Sequence, residues 1–289
     1  MHHLFTVDVE EYFHVHALEG VVDRRSWSHH ASRVESSTDL VLGMLDEREA
    51  RGTFFILGWV ARRHPALVRR IADSGHEVAS HGMDHRRVGD LERETFRQDV
   101  RDSRALLEDL SGRPVHGYRA PSFSIGEGQE WALEVLVEEG YRFDSSRMPV
   151  RRPTIVLPDT PLETHVVETA AGPILEVPVT PVQRVGVALP AGGGAYFRHL
   201  PYALTRAALR DAASRGRPGV FYMHPWEVDP GQPRLATDPV TRLRHYGGLQ
   251  RMEDRLRRLL DEFAFESVSN VYGPEGSEAP TVRSARETE

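Results

Sequence analysis

Leu4-Phe5-Thr6-Val7-Asp8-Val9-Glu10-Glu11 reads as a buried strand that runs out into acids. On an extended chain Asp8 and Glu10 point to the same side, with Val9 opposed to them. The same design, a short apolar run ending in polar residues, returns along the chain. Strands are expected at residues 53–57 (TFFIL), 76–80, 115–118, 141–144, 220–223 and 264–268. Between them lie amphipathic stretches: a helix capped from Ser36-Ser37-Thr38, then residues 65–74, 91–110, 129–139, 204–214 and 240–262. Strands alternating with helices of this length predict repeated βα units and a mostly parallel sheet or barrel.

Two stretches break the rhythm. Residues 11–33 form a long insertion rich in aromatics and histidine, and residues 147–190 are proline-rich and β-branched, as extra β-hairpin structure would be. The polar residues 271–289 lack periodicity and read as a disordered tail, leaving residues 1–270 as a single domain.

The 289 residues carry a net charge of −7, which argues against general binding to nucleic acid or anionic membranes. Cysteine is absent, removing disulfides, thiolate zinc sites and thiol nucleophiles together. All 36 basic residues are arginine, and there are 15 histidines. No apolar run approaches the ~18 residues of a membrane helix, and the start does not resemble a secretory signal, so a cytoplasmic protein is expected.

The chemistry-bearing residues fall at the expected strand ends. In His81-Gly82-Met83-Asp84-His85 two histidines four apart can grip one divalent cation if the segment turns helically. Taken alone, two surface histidines are the plainer reading, and Asp8 with Glu10 could equally be a solvated acidic turn. Together, a carboxylate and two histidines make a facial set with positions left open. Arg119, at another strand end, can hold a carboxylate bidentately. Asp144-Ser145-Ser146 and His224-Pro225-Trp226-Glu227 close two more. Tyr12, Phe13, Trp27 and Trp226 could stack on sugar faces or simply anchor loops. His14 and His16 are not expected to be ligands, and Gly192-Gly193-Gly194 reads as a flexible turn.

As an ordered set, residues 6–13 (TVDVEEYF), 53–58 (TFFILG), 80–85 (SHGMDH), 119–123 (RAPSF), 144–146 (DSS) and 222–227 (YMHPWE) resemble the polysaccharide deacetylases of carbohydrate esterase family four. Residues 194–202 and Arg244-His245-Tyr246 look most like the branch found near bacterial exopolysaccharide and exosortase loci. The resemblance covers roughly residues 4–270 and implies a distorted, incomplete (β/α) barrel.

It also implies roles. Asp8 matches the general base, Arg119 the arginine that orients it, and His224 the general acid, with Asp144 the carboxylate supporting that acid. His81 and His85 match the metal histidines. Where the family usually has a second aspartate this chain has Val9, so the metal carboxylate is assigned to Glu10. A backbone N–H near Phe123 would stabilise the oxyanion, and Phe123, Tyr12 and Trp226 would meet the substrate. The implied activity is zinc-dependent removal of N-acetyl groups from N-acetylhexosamine units of an exopolysaccharide or its precursor, releasing acetate. Two alternatives remain: an amidohydrolase acting on cyclic imides or ureides, and a non-catalytic carbohydrate-binding relative.

Overall fold

The computed structural model describes residues 1–148, 161–184 and 187–273. The strands are β1 (His3–Val9), β2 (Thr53–Ile56), β3 (Glu77–Ser80), β4 (Gly117–Tyr118), β5 (Phe143–Asp144), β6 (His165–Thr169), β7 (Gly172–Glu176), β8 (Pro181–Arg184), β9 (Val187–Pro190), β10 (Val220–Met223) and β11 (Phe265–Glu266). The helices are α1 (Val34–Asp46), α2 (Gly58–Arg63), α3 (Pro65–Asp73), α4 (Arg93–Ser111), α5 (Trp131–Glu138), α6 (Gly194–His199), α7 (Tyr202–Ser214), α8 (Pro239–Tyr246), α9 (Met252–Glu262) and α10 (Val268–Tyr272).

One curled sheet in the order β10-β1-β2-β3-β4-β5-β7-β6 forms the centre, with β11 also against β1. Strands β10 and β1 to β5 pair in parallel. Every residue of β1, β2 and β10 is buried, because helices cover the sheet and a parallel strand must be apolar on both faces. The mostly parallel α/β arrangement expected from the alternation, and the incomplete barrel that the resemblance implies, are thus the observed fold. Because β1, β3, β4, β5 and β10 run the same way, their carboxyl ends share one rim. That rim is where folds of this kind collect polar residues.

In the β-rich stretch, β6 and β7 form an antiparallel hairpin whose β7 lies parallel to β5, and β8 pairs antiparallel with β9. Residues 149–160 of that stretch, and residues 274–289 of the expected tail, lie outside the described residues. The packed body runs past residue 270, since Tyr272 is buried against Leu4, Val220 and Val268.

Three local expectations are corrected. Helix α1 begins before Ser36, and Thr38 donates back to the Val34 carbonyl instead of capping. The helix expected over residues 240–262 is two, α8 and α9, broken where Gly248 adopts φ +76° and any Cβ would meet the Arg198 backbone. The three glycines at 192–194 are a packing device and not a flexible turn: Gly193 sits at φ +136°, with its backbone so close to the Tyr222 carbonyl that no side chain fits.

Candidate active site

The site starts at the end of β1. Asp8 and Glu10 leave the strand on one side while Val9 goes into the core, as the strand's alternation demands. Residues 81–85 follow β3, but they form a bend and not a helical turn. Gly82 (φ 72°) and His85 (φ 51°) are both left-handed, and strain at a non-glycine residue of this kind persists only where the surroundings fix it. Here they do: the Gly82 and Met83 carbonyls accept from Gly58 and Trp59, and Asp99 accepts from the Met83 amide at 3.0 Å.

That bend brings His85 Nε2 to 2.8 Å from Glu10 Oε2. Ligand atoms of Glu10, His81 and His85 all lie within 4.8 Å of one another, and all three residues are buried. The set fits a divalent cation. Glu10 Oε2 is buried and makes no hydrogen bond of good geometry among the described residues. His81 Nδ1–H donates to the Arg119 carbonyl at 2.8 Å, which leaves its Nε2 lone pair free for a metal. Burial lowers the His81 pKa to about 4, so the ring is neutral, as a ligand must be. Burial raises the Glu10 carboxyl, but His85, His224 and His81 outweigh it and hold the group far below the ordinary carboxylate range.

Asp8 stands beside this cluster. Arg119, fully buried, donates through Nη1 to Asp8 Oδ1 at 2.7 Å. Two further donors go to Ser145, Nε to the carbonyl at 3.0 Å and Nη2 to Oγ at 2.7 Å. The guanidinium carbon lies over the Phe55 ring, 4.1 Å from its centre. Three donors of Arg119, one on each nitrogen, are fixed in this way, and with them the carboxylate it grips.

His224 follows β10 on the far side. Its Nε2 is 3.6 Å from Glu10 Oε1 and 3.9 Å from Asp8 Oδ2. Its side chain is 19% exposed whereas those of Asp8 and Glu10 are sealed, so the histidine is the group that faces outward. Nδ1–H donates to Glu227 Oε2 at 3.3 Å, and the same oxygen accepts the His224 amide at 2.9 Å. Glu227 is in turn held by buried Arg198, whose Nε donates to Oε1 at 2.7 Å. Burial alone would lower the His224 pKa, yet Glu227, Glu10 and Asp8 push it up to about 9. Burial would raise Glu227, but Arg198 and His224 hold it at about 2.

The carboxylate behind His224 is therefore Glu227, and the expectation that Asp144 fills that place is corrected. Asp144 accepts from the Ser146 hydroxyl at 2.5 Å and the Ser146 amide at 3.0 Å, and buried Glu176 is its carboxyl neighbour. Ser146 Oγ accepts from the Ala120 amide at 2.8 Å. The Asp-Ser-Ser segment thus braces the loop that carries Arg119. The Phe123 amide donates to the Ala120 carbonyl at 2.9 Å, so that N–H serves its own turn and not an oxyanion.

The aromatic residues expected to meet substrate are buried. Tyr12 (1% exposed) packs edge-on to Phe13. Trp226 (4%) is stacked between His224 and His245, with ring centres at 5.1 and 4.4 Å. Phe123 meets Tyr222 edge-on at 5.0 Å. Tyr12 is a loop anchor and Trp226 a spacer that sets the plane of the His224 ring. Sequence reasoning missed Glu227 and Arg198. The His-Pro-Trp-Glu spacing, a polar residue followed three later by Glu at the start of a turn, is the signature that could have found Glu227.

Residues 26–143 match the polysaccharide deacetylase family model, and residues 145–273 match a domain of unknown function, DUF3473. A peptidoglycan-N-acetylglucosamine deacetylase of Bacillus cereus is 31% identical over 98 residues, which are 34% of this chain and 36% of that protein. A chitooligosaccharide deacetylase of Rhizobium leguminosarum bv. trifolii is 36% identical over 70 residues, 24% of this chain and 33% of the relative. The chain thus spans about a third of the length of these two curated relatives. The solved structure of a polysaccharide deacetylase candidate from Mycobacterium smegmatis superposes with a TM-score of 0.64 at 21% identity, covering 99% of this chain and 94% of that one, and shares its fold. Among the described residues no helix is long and apolar enough to cross a membrane.

Proposed function

We propose, for a chain whose residues 26–143 match the polysaccharide deacetylase family model, that it is a metal-dependent N-deacetylase of N-acetylhexosamine units, releasing acetate. The observation that carries this reading is the meeting of three side-chain sets on one rim. A Glu-His-His ligand set lies between an arginine-held aspartate and a carboxylate-held histidine. Val9 does not argue for a lost activity, because Glu10, on the same face as Asp8, supplies a carboxylate of its own.

Glu10, His81 and His85 would hold the cation; zinc is the metal proposed, since two histidines and a glutamate are a donor set of catalytic zinc. When bound it supplies Lewis-acid polarisation of the acetamide carbonyl and acidification of water. Asp8 acts as general base: Arg119 occupies Oδ1, so Oδ2 is the oxygen that takes the proton from the attacking water. His224, doubly protonated at neutral pH, gives its Nε2 proton to the amine nitrogen as the C–N bond breaks. An amine leaves poorly until it is protonated, so the acid matters as much as the base. Glu227 stabilises the imidazolium before transfer and holds the ring's tautomer afterwards. The substrate is inferred to be an exopolysaccharide or its precursor, from the branch-like motifs at residues 194–202 and 244–246.

Metal analysis of the purified protein, coupled to acetate release from a panel of N-acetylated glycans, tests the reading. Zinc at about one equivalent per chain and acetate release are expected. A protein that takes up no metal and releases no acetate would overturn it.

A further inference from the structure

The long insertion after β1 contributes none of the ligand, base or acid residues assigned above, yet it reaches the ligand set at one point. His85 holds its side chain against Glu10 from a left-handed backbone, φ 51°. Among the described residues no main-chain donor meets the His85 carbonyl. The guanidinium of Arg24 does, Nη2 donating to that oxygen at 3.0 Å. Arg24 opens the 3-10 turn Arg24–His29, which Asp23 caps and whose Trp27 is buried with Phe13, Leu18 and Val22. The donor therefore comes from a fixed base.

The contact is one side of a closed ring. Arg24 Nη2 also donates to Glu19 Oε1 at 3.3 Å, and Glu19 Oε2 accepts His16 Nδ1–H at 2.7 Å. With its hydrogen on Nδ1, His16 keeps Nε2 as an acceptor, and Arg87 Nη1 donates there at 3.2 Å. The ring leaves the ligand loop at Arg87, passes through the insertion and returns to the loop at His85. The side chains of His16, Glu19 and Arg24 are 44, 31 and 38% exposed, and ion pairs so solvated contribute little to folding. A left-handed non-glycine residue, by contrast, persists only where its neighbours impose it. Nor does charge explain Arg24, since a guanidinium beside a cation site is repelled by the cation.

We infer that Arg24 is a positioning residue for the metal ligand His85, and that His16, Glu19 and Arg24 make the insertion a clasp on the ligand loop. This rests on the metal-dependent reading above. By fixing the direction of the His85 peptide, the clasp fixes where Nε2 stands relative to Glu10.

The test measures the zinc affinity of the full chain by competition with a chromophoric chelator, beside the visible spectrum of the cobalt(II)-loaded protein. Arg24→Met keeps an unbranched side chain beside Trp27 and removes the donors. Arg25→Met removes an equal charge from the same turn, where Arg25 is 91% exposed and pairs with Asp23. Glu19→Ala opens the ring at a second place. Charge alone predicts zinc binding no weaker in either arginine variant, whereas positioning predicts a loss in one. Arg24→Met should bind zinc about tenfold more weakly, with a shifted cobalt spectrum, and Glu19→Ala about threefold more weakly. Arg25→Met should match the unaltered protein, and the metal-free proteins should melt alike.

Zinc affinity in Arg24→Met equal to or above that of the unaltered protein overturns the inference, as does an equal loss in Arg25→Met. If metal-free Arg24→Met melts early, Glu19→Ala decides, and undiminished zinc affinity there overturns the inference. Failure of the unaltered protein to take up zinc or cobalt is a separate result, which removes the metal-dependent reading and this inference with it.

Discussion

Two buried arginine–carboxylate pairs flank the ligand set, Arg119–Asp8 and Arg198–Glu227, each closed at 2.7 Å. In both, the arginine is fully buried, caps backbone carbonyls and lies over an aromatic ring, Phe55 or Trp226. What differs is the carboxylate's second neighbour. Asp8 keeps Oδ2 out of the arginine contact, 3.9 Å from His224 Nε2, whereas Glu227 spends its second oxygen on His224. The same device therefore makes a base on one side and, through an intervening ring, an acid on the other. Burial of an ion pair stabilises little by itself, because desolvation offsets the attraction. What each pair supplies is a carboxylate of fixed direction.

The comparison is broken most severely at Asp8. Asp8→Asn should lower acetate release about a thousandfold while metal content stays unchanged, since the amide keeps the arginine contact but accepts no proton. Steady-state rates beside metal analysis check this.

On the acid side the loss should depend on the leaving group. His224→Ala is expected to cost about a hundredfold or more on an acetamide and only a few-fold on an activated aryl acetate, whose alcohol needs no protonation. Equal losses on both substrates would assign His224 another role.

Glu227→Gln should be milder, about tenfold in rate. It also moves the pH profile in a defined direction. Glu227 raises the His224 pKa, and the acid must be protonated to work, so activity is lost as pH rises through that pKa. Removing the charge lowers it, and the alkaline limb moves to lower pH. A limb that stays in place would show that Glu227 does not act through His224.

The smallest effect sharpens the contrast with Asp144, the carboxylate that braces and does not titrate with the acid. Burial, and the neighbouring Asp144, raise the Glu176 pKa well above the ordinary value, and burial also raises that of Asp144. A carboxyl raised in the fold costs stability as pH climbs above its unfolded pKa of about 4.5, and the cost is absent at lower pH. Glu176→Gln keeps a donor toward Asp144 and removes that cost, so its melting temperature should rise relative to the unaltered protein at pH 8 and not at pH 4.

The base side was legible in the sequence because each part is local to a strand end. Residues two apart on an extended chain share a face, which fixes Asp8 and Glu10. Parallel strands then bring His81, His85 and Arg119 to the same rim. The acid side was legible only in His224. Its carboxylate comes from a 3-10 turn after β10, and its arginine from α6, 26 residues upstream of His224 and joined to it only by tertiary packing. Asp144 occupies a strand end like the others, and nothing in its spacing reveals that its side chain turns to Ser146 and Glu176. The two-glycine break between α8 and α9 was hidden for a similar reason. Apolar periodicity continues through it, and only the packing of Arg198 beneath Gly248 requires the turn.

The central claim is that Glu10, His81 and His85 hold the cation on which amide hydrolysis depends. The direct test is acetate release from an N-acetylated chito-oligosaccharide by chelator-stripped protein, by the same protein reloaded with zinc, and by the His81→Ala/His85→Ala variant exposed to zinc. The account predicts release by the reloaded protein alone. Acetate released at the full rate by the stripped protein or by the double variant would contradict it.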